Sequence, residues 1–210
     1  MESKASSSCK RPYELGKRLE QMDRTRAAVL MAARRQLEAG GVRDFSMESL
    51  ATAAKVTRQT IHNLFGTRTS VLEALFDQIA IDGGMDRMRN VMTANDPEAM
   101  LDGFIRVFSD FWATNRLLLK RIHGIAAIDP EFGKTVEARN QRRQGAATRV
   151  IQQLNARLRT WESNEMPVKV AALVALASFE FFDALAESAG GVEAAQAQLP
   201  ILIKNALLTK

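Results

Sequence analysis

The sequence contains one cysteine, Cys9, so the chain cannot form an intrachain disulfide, which is typical of proteins from a reducing compartment. Long hydrophobic runs are also missing. The longest candidate, residues 170–179, has ten residues, whereas a membrane span needs roughly 18. The first ten residues contain no apolar run, so we expect no secretory signal. These features predict a cytoplasmic protein without a membrane partner.

Aromatic residues make up 6% of the chain, and there are only five prolines and few clustered β-branched residues. The many Ala, Leu, Arg, Glu and Met residues favour helices, and no segment has a convincing strand pattern. We therefore predict an all-α fold.

Motifs of enzymes and metalloproteins are not found either. The sequence has no glycine-rich phosphate loop, no GxSxG and no HExxH. The possible metal ligands His62, His123 and Cys9 lack the local spacing of a metal site. We predict neither catalysis nor a cofactor nor a bound metal.

The net charge of +5 is distributed unevenly along the chain. Residues 1–80 hold 13 Lys and Arg against 9 Asp and Glu, while residues 81–210 hold 16 against 15. A basic N-terminal region can be an ordinary solvated surface, but it also suits a nucleic-acid partner.

Helix boundaries are indicated by caps, glycines and prolines. Residues 1–12 are polar and without periodicity, and a first helix is expected over about residues 23–39. Ser46, Thr57 and Thr67 are placed as N-caps of three further helices. The helix after Thr67 either ends at the glycines of residues 83–84 or continues to about residue 92. Later helices are expected over residues 97–114, 116–127, 129–161, 166–188 and on to 208, with Pro200 either kinking or restarting the last one.

The two short helices after Ser46 and Thr57 have the spacing of a helix-turn-helix. Ala51 allows close approach of the helices, and Val56 and Ile61 complete a small core. In this geometry the second helix enters the DNA major groove by its N-terminal end, where Arg and Gln can bind base edges. A helix pair that serves only packing is the alternative. The side chains left to face DNA are Thr57, Arg58, Gln59, Thr60, His62 and Asn63.

Residues 24–76 resemble the N-terminal domain of the TetR family of bacterial transcriptional regulators. The resemblance rests on RTRAAVLMAARRQLEAGGV, FSMESLATAAKVT and TIHNLFGTRTSVLEALF, which follow in the family's order without a gap. The residues before this segment, 1–20, are predicted to be a flexible basic tail. The resemblance implies a helix-turn-helix domain over 21–80 and a helical ligand-binding and dimerisation domain over 81–210. It also adds Arg24, Ser46, Thr67 and Arg68 to the expected DNA contacts.

Four positions depart from the family pattern. Family members usually have glycine where Lys55 stands, often glycine at Gln59, typically tyrosine at His62, and usually lysine at Arg68. Gln59 adds a side chain that can contact bases, and His62 makes a pH-sensitive phosphate contact conceivable. The operator sequence of better-known members therefore cannot be transferred to this chain.

A dimer is also indicated by residues 168–182, which are almost entirely apolar. A helix that is apolar all round must be buried on more than one side, either by a partner subunit or as the central helix of a monomer. The residues predicted at the dimer interface are Leu176, Glu180, Asp183, Ile203 and Leu207.

A ligand site is predicted between the C-terminal helices, although Met and aromatic residues at helical spacing are more often plain core. Nearby arginines suggest an anionic ligand. The candidate lining residues are Met88, Met92, Phe108, Phe111, Trp112, Ile122, His123, Arg139, Arg143 and Phe182.

The function that combines these features is a homodimeric repressor that binds palindromic operator DNA and is released by a small-molecule inducer. One alternative is a DNA-binding dimer without an inducer, acting as an activator or a DNA-organising protein. The other is a helical enzyme or carrier whose N-terminal helix pair is only structural.

Overall fold

The computed structural model describes residues 10–40, 44–159 and 161–208, with side chains from residue 16 onward. These residues form helices and no strand, so the predicted all-α class is confirmed. The helices are α1 (Lys10–Glu38), α2 (Met47–Ala54), α3 (Arg58–Phe65), α4 (Arg68–Asp82), α5 (Met88–Val91), α6 (Pro97–Ile128), α7 (Pro130–Leu158), α8 (Met166–Leu176), α9 (Phe179–Ser188) and α10 (Val192–Leu208). Among the described helices, none is long and apolar enough to cross a membrane.

The chain divides into two compact units, Met1–Leu75 and Phe76–Lys210, and the division falls within α4. The first unit has its own core, to which α1 contributes Leu37, α2 Leu50, α3 Ile61 and α4 Leu72, all with no exposed surface. Each of these helices therefore hides an apolar face within the unit, which accounts for their amphipathic sequences.

The first helix begins much earlier than predicted. It starts at Lys10 rather than near residue 23, so residues 10–20 are helical and not a flexible tail. Residues 16–24 are exposed, so this part of α1 has no apolar face toward a core. Hydrophobic periodicity, the signal on which the prediction depended, is consequently absent there. The first nine residues of the predicted tail lie outside the described residues.

The predicted break between residues 114 and 116 is a kink inside one helix. Asn115 has non-helical angles (φ −114°, ψ 16°), yet α6 continues from Pro97 to Ile128. Asn115 is buried, and its amide donates to the Phe111 carbonyl at 3.1 Å. The side chain thereby satisfies a carbonyl at the kink, so the chain bends without leaving the helix.

The helix predicted over residues 166–188 is instead divided into α8 and α9. Ser178 lies between them with extended angles, and its hydroxyl accepts from the Phe181 backbone N–H at 3.1 Å. Ser178 is thus an N-cap in the middle of an apolar run. The sequence prediction treated this run as one helix and did not recognise the cap.

Two boundaries left open by the sequence are resolved. The helix after Thr67 ends at Asp82, because Gly84 adopts a left-handed conformation (φ 73°) before a short 3-10 turn and α5. The last helix, α10, is assigned as one element through Pro200.

The second unit has a core of aromatic and aliphatic side chains between α6, α7, α9 and α10. Phe104, Phe132 and Phe182 are among its largest fully buried side chains. Ile203 and Leu207 are also fully buried there, so they offer no surface to a partner and their prediction as dimer contacts is wrong. In a helix with two apolar faces, the sequence pattern did not distinguish the inner face from the outer one.

Candidate nucleic-acid interface and interior cavity

The two short helices of the first unit are fixed by side-chain caps. The Ser46 hydroxyl accepts from the Ser49 backbone N–H at 3.1 Å, and the Ser49 hydroxyl accepts in return from the Ser46 N–H at 3.0 Å. At the start of α3, the Thr57 hydroxyl accepts from the Thr60 N–H at 3.0 Å. Thr67 caps α4 in the same way through Ser70, at 3.1 Å. All three predicted N-caps are confirmed.

The turn between α2 and α3 is a helix-ending motif centred on Lys55. Lys55 has left-handed angles (φ 56°, ψ 42°), and its N–H donates to the Thr52 carbonyl while that of Val56 donates to Ala51. These two bonds are those of a Schellman motif, in which glycine is preferred because a Cβ is strained in this conformation. The glycine that the resemblance leads one to expect at this position therefore has a physical reason, and lysine adopts the same turn at a cost.

The polar end of α3 points into solvent while one apolar side chain holds the helix in place. Ile61 has no exposed surface, and Leu64 and Phe65 are half-buried. Thr60 is half-buried as well. The side chains with exposed positions are Thr57, Arg58, Gln59, His62 and Asn63.

Several of these exposed side chains already have partners within the first unit. Arg58 Nη1 lies 2.9 Å from Glu48 Oε1 of α2, and Gln59 Nε2 donates to Asn63 Oδ1 at 2.8 Å. The side chains of Arg58 and Glu48 are 70% and 62% exposed, so the ion pair is worth only a few tenths of a kcal/mol to about 1 kcal/mol. Exchange of this ion pair for another partner of Arg58 would therefore cost little.

Arg26 and Arg68, next to α3, are held more firmly than Arg58, whereas Arg24 of α1 is not. Arg68 Nε donates to the Phe45 carbonyl at 2.9 Å, and its guanidinium lies 5.4 Å from the centre of the Phe45 ring. Arg26 stacks on Phe65, 4.5 Å from the ring centre. Arg24 is exposed and lies 3.9 Å from Glu20. Arg26 and Arg68 thus place positive charges beside Phe65, the last residue of α3, and beside Phe45, and such charges suit a phosphate backbone.

The second unit contains a cavity of about 240 Å³. Seven of the ten predicted ligand-site residues line it, while Met92, Ile122 and Phe182 do not, and the last two are fully buried in the core. The full lining is Phe76, Asp77, Ala80, Met85, Met88, Phe108, Phe111, Trp112, His123, Val136, Arg139, Asn140, Arg142, Arg143 and Ala146.

Sequence reasoning missed the end of α4 as a wall of this cavity. Phe76, Asp77 and Ala80 belong to the helix that begins in the first unit, and they were assigned to the helix-turn-helix domain. Asp77 is ion-paired with Arg139, whose guanidinium also stacks on Phe76 at 4.5 Å. The sequence predicted α4 as one helix of the first domain. It gave no sign that the second half of α4 belongs to the second unit and lines the cavity.

The polar groups of the cavity differ in how well their charges are matched. His123 Nδ1 lies 2.7 Å from Glu180 Oε1, and this hydrogen bond lowers the pKa of the Glu180 carboxyl from 4.5 to about 2. Arg143 donates to the Ala177 carbonyl at 2.8 Å and to Asn140 at 3.4 Å, but its Nε has no hydrogen-bond partner. Burial lowers the pKa of the Arg143 guanidinium below its usual range.

The carboxylates Asp183 and Glu187 of α9 are bonded to basic side chains of α6. Asp183 Oδ1 accepts from Arg116 Nε at 2.6 Å, and Lys120 Nζ lies 3.1 Å from Asp183 and 2.5 Å from Glu187. The Asp183 side chain is only 16% exposed. Asp183 and Glu180, both predicted at the dimer interface, thus have partners within their own chain.

Comparison with known families and structures bears directly on the first unit. Residues 29–75 match the family described as bacterial regulatory proteins, tetR family. No curated protein sequence matches the chain significantly.

Solved structures share the fold of nearly the whole chain at low sequence identity. A TetR transcription regulator from Haloarcula marismortui is 15% identical, with a TM-score of 0.70 over 88% of this chain and 97% of its own. NalD of Pseudomonas aeruginosa is 18% identical, with a TM-score of 0.67 over 91% and 99%. A TetR/AcrR-family regulator from Thermobifida fusca is 17% identical, with a TM-score of 0.63 over 87% and 97%. Residues 29–75 are therefore a helix-turn-helix domain of the TetR family of bacterial regulatory proteins, in a chain with the fold of solved TetR-type regulators.

Proposed function

We propose that the protein is a cytoplasmic transcriptional repressor that binds a palindromic operator as a homodimer and releases it when a small molecule occupies the cavity. The observation that carries this proposal is the set of exposed polar side chains on α3. Arg58, Gln59 and His62 are exposed there on a helix whose position is fixed by Ile61 and the Thr57 cap. These side chains and the free N–H groups of the helix start suit base edges and phosphates.

The dimer is supported by apolar surface that the second unit leaves uncovered. Val168 of α8 is 67% exposed, and Ile201, Leu202 and Leu208 of α10 are 51%, 37% and 41% exposed. Ala171 and Ala175 continue the exposed face of α8, and Leu176 is half-buried. Apolar side chains at helical spacing on two helices are typical of a helix-bundle interface, and we assign this α8–α10 face to a two-fold partner.

A two-fold dimer accounts for the operator symmetry. It would place the two copies of α3 in successive major grooves, about 34–36 Å apart along the DNA. Release follows if the ligand favours a state with another spacing, and the ligand then shifts the population by its difference in affinity for the two states.

The cavity favours this function over a DNA-binding dimer without an inducer. A filled second unit would have supported the latter, whereas about 240 Å³ is available to a ligand. Repression is also the role in the description of NalD, the secondary repressor of a multidrug efflux pump. We extend that role to this chain because the two share a fold and the family domain supports DNA binding.

The experiment that tests DNA binding is selection of bound duplexes from a random pool. We expect an enriched palindrome whose half-sites are one or two helical turns apart, and an affinity that falls with salt. Recovery of random duplexes only, with no enriched sequence, would contradict a sequence-specific regulator. A helical enzyme or carrier would show no salt-dependent DNA binding.

Sedimentation tests the dimer. We expect a dimer at micromolar concentration, converted to folded monomers by Ile201→Glu, which places a charge on the α8–α10 face. Ile128→Glu is the matched control, because Ile128 is 77% exposed and lies at the end of α6, outside that face. If both variants stay dimeric, or if the unmodified protein is a monomer, the assigned interface is wrong.

A further inference from the structure

We propose that the ligand of the cavity is a small organic anion with one carboxylate and an apolar, ring-sized body, and that Arg143 binds the carboxylate. The inference rests on the proposed function, since it takes the cavity to be the site at which the regulator senses its ligand. It adds the chemical class of that ligand.

Arg143 is a buried cation without a counter-ion in the described part of the chain. Only 8% of the residue is exposed, and both of its hydrogen-bond acceptors, the Ala177 carbonyl and the Asn140 amide oxygen, are neutral. No carboxylate lies within ion-pair distance of it among the described residues, and Nε is unpaired. An uncompensated buried charge is expensive, so a site of this kind favours a ligand that brings the opposite charge.

Two other basic side chains of the cavity wall are half-buried, and each already has a carboxylate partner. Arg139 is ion-paired with Asp77, and His123 is bonded to Glu180. Glu180 and Glu137 contribute some negative potential at Arg143, but neither forms an ion pair with it. Arg142 also lines the cavity, but it is exposed, so water already solvates its charge. Arg143 is therefore the buried cation of the wall whose charge a ligand can match.

The remainder of the wall fits an apolar ligand body. Phe108, Phe111 and Trp112 lie on α6, and Met85, Met88 and Val136 add flexible and branched aliphatic surface. A dry cavity of roughly 150 Å³ suffices to bind benzene. The volume of about 240 Å³ therefore has room for one ring or a short acyl chain with a carboxylate, and it is smaller than the ~300 Å³ at which drug-sized sites begin.

Two neighbouring donors of the Arg143 guanidinium, Nε and Nη2, are unpaired or weakly paired. One terminal nitrogen is held by Ala177 and the other by Asn140, at 2.8 and 3.4 Å. Nε is buried and unpaired, so a ligand carboxylate that displaces the long Asn140 contact and reaches Nε would form the two parallel bonds that arginine makes with carboxylates. Lysine cannot reproduce this geometry.

A purely structural role is the competing explanation for Arg143. In that role it would only satisfy the Ala177 carbonyl at the end of α8. Trp112 Nε1 already donates to the same oxygen at 3.2 Å. The carbonyl therefore keeps a partner when Arg143 is absent, and a buried cation is not needed for that purpose.

The test uses matched acids and amides of equal size on the full-length protein. Calorimetric titration with benzoate and benzamide, phenylacetate and phenylacetamide, and hexanoate and hexanamide separates the charge from the shape of the ligand. We expect at least one acid to bind and to raise the Tm, with an affinity roughly tenfold or more above that of its amide, as charge-assisted bonds imply. Equal binding within every pair, or binding by no acid, would overturn the proposal.

Variants then assign the preference to Arg143. Arg143→Met should remove the difference between acid and amide, and Arg143→Lys should retain only part of it. Arg149→Met, an exposed change on the same helix, should retain all of it. A structural arginine would instead reveal itself by a large loss of Tm in Arg143→Met without a change in the acid preference of the remaining folded protein, and this result would also overturn the proposal.

The experiments distinguish a failure of the ligand assignment from a failure of the proposed regulatory function. If an acid binds through Arg143 but does not release the selected DNA, the ligand class stands and the inducer mechanism is wrong. If no duplex is enriched, the regulator is wrong, while the acid preference is measured independently of DNA.

Discussion

Arg58 and Arg143 are two arginines in opposite surroundings. Arg58 is the first residue of α3 in the first unit, and Arg143 lies in the cavity wall of the second unit. The Arg58 side chain is 70% exposed and lies 2.9 Å from a carboxylate, whereas Arg143 is 8% exposed and has no carboxylate at ion-pair distance in the described structure. The exposed arginine has a counter-ion that it hardly needs, because water already solvates its charge. The buried one needs a counter-ion that its own chain does not supply.

The difference indicates how each arginine can select a partner. If Arg58 binds DNA as proposed, it exchanges Glu48 for a base or a phosphate at small cost, and its selectivity would have to come from the geometry of the groove. Arg143 starts from an unfavourable state, so its selectivity can come from charge alone. An exposed pair suits reversible contact with a polymer of fixed shape, and a buried unpaired charge suits detection of a small ion.

The largest expected effect separates the two arginines by function. Arg58→Ala should weaken binding to the selected operator by about 1–3 kcal/mol and relax base preference at one or two positions, and Gln59→Ala should do the same at neighbouring positions. Arg143→Met should leave operator binding unchanged when no ligand is present. Affinities for the operator and for random DNA, measured by fluorescence anisotropy, provide the check. Equal losses on both DNAs would remove Arg58 from base recognition.

A second, smaller effect concerns Arg68, whose burial is intermediate between that of Arg58 and that of Arg143. Arg68 is half-buried, and its Nε is engaged by the Phe45 carbonyl. We expect Arg68→Met to weaken binding to all DNA sequences alike and to lower the slope of log affinity against log salt by about 0.9, the value for one phosphate contact. Titrations at several salt concentrations measure the slope. An unchanged slope would mean that Arg68 only supports the segment before α2.

Stability should respond to the strained turn in the first unit. Lys55 has a φ of 56°, which disfavours any residue with a Cβ. Lys55→Gly should raise the free energy of unfolding by about 0.5–1 kcal/mol, since relief of strain exceeds the added flexibility of the unfolded chain. Lys55→Ala is the control, because it removes the charge and retains the Cβ. A gain in the alanine variant as large as in the glycine variant would exclude strain as the cause.

The smallest effect is a pH dependence in the second unit. The pKa of Glu180 is lowered to about 2 by His123, so the bond contributes stability above pH 4.5, and this contribution is lost as the pH falls toward 2. Because the Glu180 side chain is 66% exposed, solvent screens much of the interaction. Denaturation of the native protein and Glu180→Gln should therefore differ slightly at pH 6 and converge near pH 2. A difference independent of pH would contradict the assignment to this carboxylate.

Sequence reasoning identified features with local signals and missed those decided by packing. Ser46, Thr57 and Thr67 were placed as caps because a cap depends on residues within one turn. Asn115 was correctly associated with an interruption, but only the buried surroundings of its side chain decide that the helix bends rather than ends.

The same limit applies to the candidate sites. The polar side chains at the start of α3 could be predicted because an exposed side chain on a short capped helix has few alternatives. In the second unit, seven predicted residues line the cavity, whereas Ile122 and Phe182 are core. The apolar lining residues and these core residues are similarly hydrophobic. Only the three-dimensional packing of α6, α7 and α9 decides which of them line the cavity and which lie in the core. Ile203 and Leu207 were misplaced for this reason as well.

The shared acceptor at Ala177 makes one tryptophan an optical probe of the cavity. The chain has two tryptophans, and Trp112 is buried in the cavity wall with its indole N–H on the carbonyl that Arg143 also contacts. Trp161 is more exposed and lies between α7 and α8, so Trp161→Phe isolates the emission of Trp112. Indole fluorescence depends on nearby charge and hydrogen bonding. Occupancy of the cavity could then be followed by the colour of emitted light in the unlabelled protein, on the timescale of mixing and without DNA present.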